Sequence, residues 1–423
     1  MSTDWVRGDA TGLSIPAHAA ALRDGGTAFL TKAFRAYGVL DDGNRVVAID
    51  RFEEVSGGST GRKAALRVRY ASPGPHTDLF VKFSRDLDDP VRDVGRTQME
   101  SEVRFARLAR TPGFPIAVPA TQFADYHRES GTGLLVSERI PFGRNGIERQ
   151  YHKCLDYAMP SPREHYRALL TAVARLAGTE RAARLPAGLV AEFPVDLRAA
   201  TVGERPPMTP DRLDRRLGRL AEFVEHHPGL FAGNLRSPRF LARLTAEAPV
   251  VLRREDDIWR HLTEAGDYLA LSHWNANVDN AWFWRAADGQ LRCGLMDWGC
   301  VSRMNLAMAI WGSLSGAETT LWDDDLDDLL VMICREVAAT GGPTLDPAEL
   351  ERQLSMYAAL MGVTWLLDVP ALVAKRIGDA GPHTARTDRR ISADEGVRAP
   401  LQMLTNVLNL WETRGLASAL DCL

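Results

Sequence analysis

Cysteine is scarce in this chain and carries no pattern: Cys154, Cys293, Cys300, Cys334 and Cys422 are an odd number and include no C-x-x-C pair. That fits neither a disulfide framework nor a zinc site, so the five read as buried or idle thiols. An excess of either charge is missing too. With 51 basic and 55 acidic residues the formal net charge is -4, whereas a nucleic acid or an anionic membrane as partner would leave a basic excess. Neither partner is expected. No apolar run reaches the roughly 18 to 20 residues that cross a bilayer. The richest stretch, Ala358–Val373, is broken by Asp368 and Pro370 and reads as a core helix. Asp4, Arg7 and Asp9 interrupt any signal-peptide core, so a cytoplasmic location is expected. Internal repeats and low-complexity tracts are absent as well.

What remains is ordinary globular composition, 45% apolar and 25% charged, over 423 residues. That length is too great for one core and suits two lobes. Apolar residues recur at helical spacing from Ala17 to Tyr37, and Gly38 with Asp41-Asp42-Gly43 ends the pattern, giving a helical N-terminal extension over residues 1–44. Val46–Val55 and Ala64–Tyr70 are strand-like and are joined by Ser56-Gly57-Gly58-Ser59-Thr60-Gly61, a hairpin signature. A third strand at Leu79–Phe83, a helix from Thr97 to Arg110, and strands at Val118–Ala124 and Leu134–Ile140 complete a small β-rich lobe over residues 45–140. Beyond Pro141, helical patterns dominate residues 141–423, at Asn305–Gly316, Leu326–Thr340, Pro347–Leu367 and Val397–Thr413 among others. One hairpin interrupts them, with Trp282–Trp284 and Cys293–Met296 flanking the turn signal Asp288-Gly289. The acidic run Asp323-Asp324-Asp325 with Asp327-Asp328 reads as a solvated helix start.

Two motifs bracket that hairpin: His273-Trp274-Asn275-Ala276-Asn277-Val278-Asp279-Asn280 before it and Leu295-Met296-Asp297-Trp298-Gly299 after it. Their arrangement resembles the catalytic segment of the aminoglycoside phosphotransferase and choline or ecdysteroid kinase superfamily, in which H-G-D-x-x-x-x-N, a short hairpin and an Asp follow one another. By order and spacing the resemblance covers about residues 45–320. It implies an α+β, two-lobed protein-kinase-like fold, with a small β-rich lobe and a larger helical one, that binds ATP or another nucleoside triphosphate with Mg2+ and acts on a small-molecule acceptor. Carried over residue by residue, Gly57, Gly58, Ser59 and Gly61 match the loop that covers the nucleotide, Lys82 the phosphate-binding lysine, and Glu102 its helix partner. Ser137 and Glu138 match the hinge, and Asn280 and Asp297 the metal ligands.

The chemistry of these positions is independent of the resemblance. Polyphosphate transfer needs cations to neutralise oxygens and an acceptor held in line. Lys82 is such a cation, Asn280 and Asp297 offer the hard oxygens magnesium prefers, and glycines let backbone amides approach phosphates. Each residue alone has a plain structural reading: a turn, a solvated strand lysine, a surface ion-pair partner, a helix cap. Their order along the chain is what points to a site. His273 is expected to brace the loop through the backbone of the Asp297 turn, and Trp274, Trp282, Trp284 and Trp298 to pack.

One position departs from the family pattern. Asn275 stands where an aspartate would receive the acceptor's proton, and an amide is no base at neutral pH; such assistance is worth about 10² to 10⁴ in rate. Three readings stay open. The chain is a phosphotransferase in which Asn275 orients the acceptor through its carbonyl oxygen while solvent, substrate or Asp279 takes the proton. It is a pseudokinase that binds nucleotide and answers to a protein partner. Or it performs another nucleotide reaction, such as AMP transfer. A fourth reading, an interaction protein without nucleotide, makes these residues coincidental. Trp274 in place of the family's glycine adds bulk beside the loop.

Overall fold

The computed structural model describes residues 4–58, 60–200, 207–378 and 381–423. They form two compact units, one made of Met1–Ile147, Leu185–Phe193 and Gly294–Val301, the other of Glu148–Arg184, Pro194–Cys293 and Ser302–Leu423.

The first unit is built on a sheet of five antiparallel strands in the order β3-β4-β5-β7-β6. These are β3 (Val46–Val55), β4 (Arg62–Tyr70), β5 (Asp78–Phe83), β6 (Thr121–His127) and β7 (Thr132–Glu138), and two short strands, β1 (Trp5–Arg7) and β2 (Ser14–Pro16), precede them. Between β5 and β6 lie α2 (Pro90–Asp93) and α3 (Gln98–Leu108). Strand alternation decides which face is buried. Leu79, Val81 and Phe83 of β5 point into the core, and Phe80 and Lys82 take the other face.

Residues between Ile15 and Leu40 share the core of this sheet. Helix α1 (Ala19–Ala36) lays Leu22, Phe29, Leu30 and Phe34 into the same core as Leu66, Val81, Phe123 and Val136. Asp125 of β6, fully buried, accepts the backbone N–H groups of Ala10 (3.0 Å) and Thr11 (2.9 Å) and so anchors the turn between β1 and β2. The strand expected at Val118–Ala124 begins instead at Thr121. Pro119 has no N–H to give a ladder, and Ala117 bridges Gly294 while its carbonyl accepts from Leu295 at 3.0 Å.

In the second unit the strands are few. β8 (Leu269–His273) pairs with β11 (Val301–Asn305), and β9 (Ala281–Arg285) with β10 (Leu291–Leu295). The hairpin turn holds Gly289 at φ +77°. Around them pack α4 (Pro162–Arg181) and helices at Leu306–Leu314, Pro347–Thr364 and Glu395–Arg414. The apolar stretch around Ala358–Val373 falls in two helices, Pro347–Thr364 and Val369–Ile377, separated by a 3-10 turn at Leu366–Asp368. Taken together, Pro347–Ile377 is long and apolar enough to span a bilayer, but 72% of its most apolar window is buried in the protein. The acidic run is only partly solvated: Asp325 is buried and pairs with Arg163 at 2.7 Å.

Candidate functional site

Within the first unit, three residues far apart in the chain meet at one ammonium. Lys82 Nζ lies 2.6 Å from Glu102 Oε1 and 2.6 Å from Asp297 Oδ1. Strand β5 supplies the lysine from its less buried face. The apolar stripe of α3 (Met99, Val103, Ala106) turns Glu102 inward, where its side chain is 9% exposed. Asp297 is half-exposed and sits in left-handed backbone at φ +65°, which swings the Asp-Trp-Gly turn against α3. There the Trp298 ring stacks on Phe105 at 3.7 Å, its indole N–H donates to the Leu295 carbonyl at 3.0 Å, and its backbone N–H donates to Glu102 at 3.3 Å. Burial works against the Lys82 charge, but the two carboxylates outweigh it and hold the ammonium above its ordinary range. Burial raises the Glu102 carboxyl, Lys82 opposes that rise, and Asp297 adds to it. The lysine is thus fixed as a cation, and Asp297 presents the more accessible carboxylate.

The glycine-rich turn between β3 and β4 belongs to this unit. Gly57, Gly58 and Gly61 all have positive φ, at +117°, +76° and +55°; Ser59 lies outside the described residues. Gly61 is required on space as well, since a Cβ there would lie 2.0 Å from the Phe83 carbonyl oxygen. Two cations outside the expected site residues hold the turn. Lys63 Nζ donates to the Gly57 carbonyl at 2.9 Å, and Arg92, paired with Asp86 at 3.0 Å, donates to the Gly61 carbonyl at 2.6 Å. Lys63 was legible from the hairpin register, which sets it directly opposite Lys82; nothing in the sequence marks Arg92. Ser137 and Glu138 stand opposite Phe80 and Leu79, away from the lysine cluster. The Glu138 carboxylate is occupied by the Ala120 N–H (3.2 Å) and His76 (3.0 Å), and the Ser137 hydroxyl donates to the Glu138 carbonyl at 3.3 Å.

The second unit carries the other motif as a hydrogen-bonded loop. His273, buried at the end of β8, accepts the Asn275 backbone N–H on Nδ1 at 3.1 Å. The Asn275 carbonyl takes the Asn277 N–H and the Asn280 side-chain NH2, both at 2.9 Å. Asn275 Oδ1 accepts from Asn277 Nδ2 at 2.7 Å and from Lys153 Nζ at 3.1 Å. Two donors on that oxygen settle the amide's orientation, because the flipped form would turn an NH2 toward an ammonium. The carbonyl oxygen expected to orient an acceptor is therefore already engaged, and the side chain has N–H to offer. Lys153, which no periodicity marks, also lies 3.9 Å from Asp279. Trp274 is buried, its indole N–H on the Tyr357 hydroxyl at 2.8 Å, and Trp282 stacks with Trp284 at 6.4 Å. These aromatics pack. Cys154 is buried beside the loop, and burial pushes its thiol up, away from reactivity.

No protein-family model matches this chain, and no curated protein does. Solved structures similar to it include a microcompartment-associated aminopropanol kinase, 15% identical, covering 92% of this chain and 98% of that one at a TM-score of 0.42. A choline kinase from Cryptosporidium parvum Iowa II is 10% identical, covering 92% and 96% at 0.42. A spectinomycin phosphotransferase in complex with ADP and spectinomycin is 10% identical, covering 85% and 94% at 0.38. At such distances the functional reading rests on this chain's own residues.

Proposed function

We propose that the chain is a nucleotide-dependent phosphotransferase for a small-molecule acceptor. The observation that carries the reading is the meeting of Lys82, Glu102 and Asp297: a strand lysine held charged by a buried helix carboxylate, with a second, accessible carboxylate beside it. A scaffold gains little from such a pair, since replacing a buried ion pair by apolar side chains is often neutral or stabilising. A polyphosphate site needs it. Two further cations of this unit, Lys63 and Arg92, lie at the glycine turn, where backbone groups with positive φ suit a bound phosphate.

For Mg2+, each expected ligand taken singly offers an oxygen of the right kind. Among the described residues no cluster of three or more His, Cys, Asp or Glu side chains could cage a metal. Magnesium, however, is held by one or two protein oxygens together with substrate phosphates and water. Asp297 offers a half-exposed carboxylate, and the Asn280 NH2 is spent on the Asn275 carbonyl, leaving its side-chain oxygen as the ligand atom. Their joint use rests on the order of the motifs along the chain. When bound, the ion neutralises phosphate oxygens.

Asn275 contributes position and no base. Its oxygen is held by Lys153 and Asn277, so the acceptor's proton passes to solvent, to the substrate itself or to Asp279. That same engaged oxygen favours a second reading, a nucleotide-binding regulator without turnover. The two separate in one assay: ADP release from ATP and Mg2+ across a panel of alcohols, amino alcohols and sugars. Release above that of an Asp297→Ala variant supports transfer. Nucleotide binding without release under any acceptor leaves the regulator.

A further inference from the structure

In the antiparallel pair β4–β5, Lys63 stands directly opposite Lys82. Side chains so paired share a face with Cβ atoms about 4.5–5.5 Å apart, and like charges there repel. The two carboxylates nearby do not relieve both lysines equally. Glu102 and Asp297 each lie 2.6 Å from Lys82, whereas the partner of Lys63 is a neutral one, the Gly57 carbonyl at 2.9 Å. Lys63 is half-buried, and burial, reinforced by Lys82 and Arg92, pulls its ammonium below the ordinary lysine range although Asp297 and Glu102 oppose the shift. A half-buried ammonium facing another cation, with no carboxylate at ion-pair distance among the described residues, is costly unless an anion completes the arrangement.

The turn above it is shaped around that ammonium. A Cβ on Gly58 would fall 1.8 Å from Lys63 Nζ, so the lysine's head group lies directly against the turn. Arg92 fixes the far end of the same turn through the Gly61 carbonyl. An anion entering under Gly57–Gly61 meets Lys63 first, with three freely rotating N–H donors and a single carbonyl to release.

We propose that Lys63 is a second phosphate-binding cation, contacting the polyphosphate of the bound nucleotide beneath the glycine turn. The proposal rests on the nucleotide reading above and deepens it: the site selects for chain length of the phosphate, and two opposed lysines supply charge neutralisation that offsets part of what the missing base would have given. Lys63 binds phosphate oxygens and transfers no proton.

The test is a calorimetric titration of ATP, ADP, AMP and adenosine, each with Mg2+, onto the full chain and its Lys63→Met, Lys63→Arg and Lys82→Met forms. Lys63→Met is expected to weaken ATP roughly 10- to 100-fold, the size of one charge-assisted hydrogen bond, while adenosine binding stays within about twofold. Lys63→Arg should keep most of the ATP affinity, which a merely structural role beneath the turn would not predict. Thermal melting reports folding separately; Met removes an unpaired half-buried charge and should leave the midpoint unchanged or raised, and Lys63→Gln serves where Met does not fold. Equal ATP affinity in parent and Lys63→Met overturns the proposal and leaves the nucleotide reading standing. A parent that binds no ATP while folded overturns both.

Discussion

Removing Glu102 tests the lysine cluster at its least forgiving point. Glu102→Ala takes away the buried carboxylate 2.6 Å from Lys82 and the acceptor of the Trp298 backbone N–H. Breaking a buried ion pair by deleting one partner costs about 3–5 kcal/mol, and an orphaned buried N–H about 1–3 kcal/mol. Lys82 keeps Asp297, whose side chain is half-exposed and screened by water, so we discount the pair to about 2 kcal/mol and add about 1 kcal/mol for the N–H, about 3 kcal/mol in total. For a unit of this size each kcal/mol moves the melting midpoint by roughly 2–4 °C, which gives a fall of roughly 6–12 °C. The double variant Lys82→Met/Glu102→Leu replaces the pair by apolar groups and should regain most of that loss while binding no nucleotide. Calorimetric melting of parent, single and double variants is the assay. A Glu102→Ala midpoint within about 2 °C of the parent, or a double variant no more stable than the single, would refute the claim that buried charge pairing organises this cluster.

Three further outcomes are expected. Asn275→Asp places a carboxylate 3.1 Å from Lys153, which converts a neutral-acceptor bond into an ion pair worth about 1 kcal/mol more; the midpoint should rise, and a fall would count against the loop geometry. The ion pair also lowers the basicity of the new carboxylate, so ADP release should increase more in Asn275→Asp/Lys153→Met than in Asn275→Asp alone, and the reverse order would show that Lys153 assists transfer. Asp156, whose carboxyl burial pushes up to about 7 despite hydrogen bonds from the Tyr166 hydroxyl and the Glu318 N–H, gives a pH signature. Because its folded pKa lies above the unfolded value near 4, its stabilising contribution is complete below about pH 4 and is lost as pH rises toward 7. Asp156→Asn cannot titrate, so the parent's melting advantage over it should shrink across that window; parallel curves would contradict the assignment.

Much of the small sheet was legible because strand alternation and the glycine turn are local signals. Val46–Val55 needs no tertiary information, whereas β6 begins three residues later than its apolar run because Pro119 cannot join a ladder. The packing of α1 was half legible. Its apolar stripe announces a buried face, but not that the face meets Phe123 and Val136 instead of a core of its own. The Lys82, Glu102 and Asp297 positions could be read from motif order, since each motif is short and separated by recognisable elements. Lys63 was readable in principle once the β4–β5 register is drawn, and went unread because a lysine on a strand is ordinarily solvated. Lys153 and Arg92 lie on segments without periodicity, and only the folded chain brings them to Asn275 and Gly61. Asp325 shows the converse: an acidic run looks solvated until Arg163, from another helix, covers one member of it.

We infer that Lys82, Glu102 and Asp297 form the phosphate end of a magnesium-nucleotide site, and calorimetric titration of ATP onto the parent and onto Asp297→Ala, with and without Mg2+, decides the claim. Asp297 is half-exposed and its loss leaves Lys82 paired with Glu102, so the variant should melt close to the parent. The parent should bind ATP saturably and with Mg2+ dependence, and Asp297→Ala should lose that dependence along with most of the affinity. A folded parent that binds no nucleotide, or a variant that binds ATP and Mg2+ as the parent does, would contradict the claim.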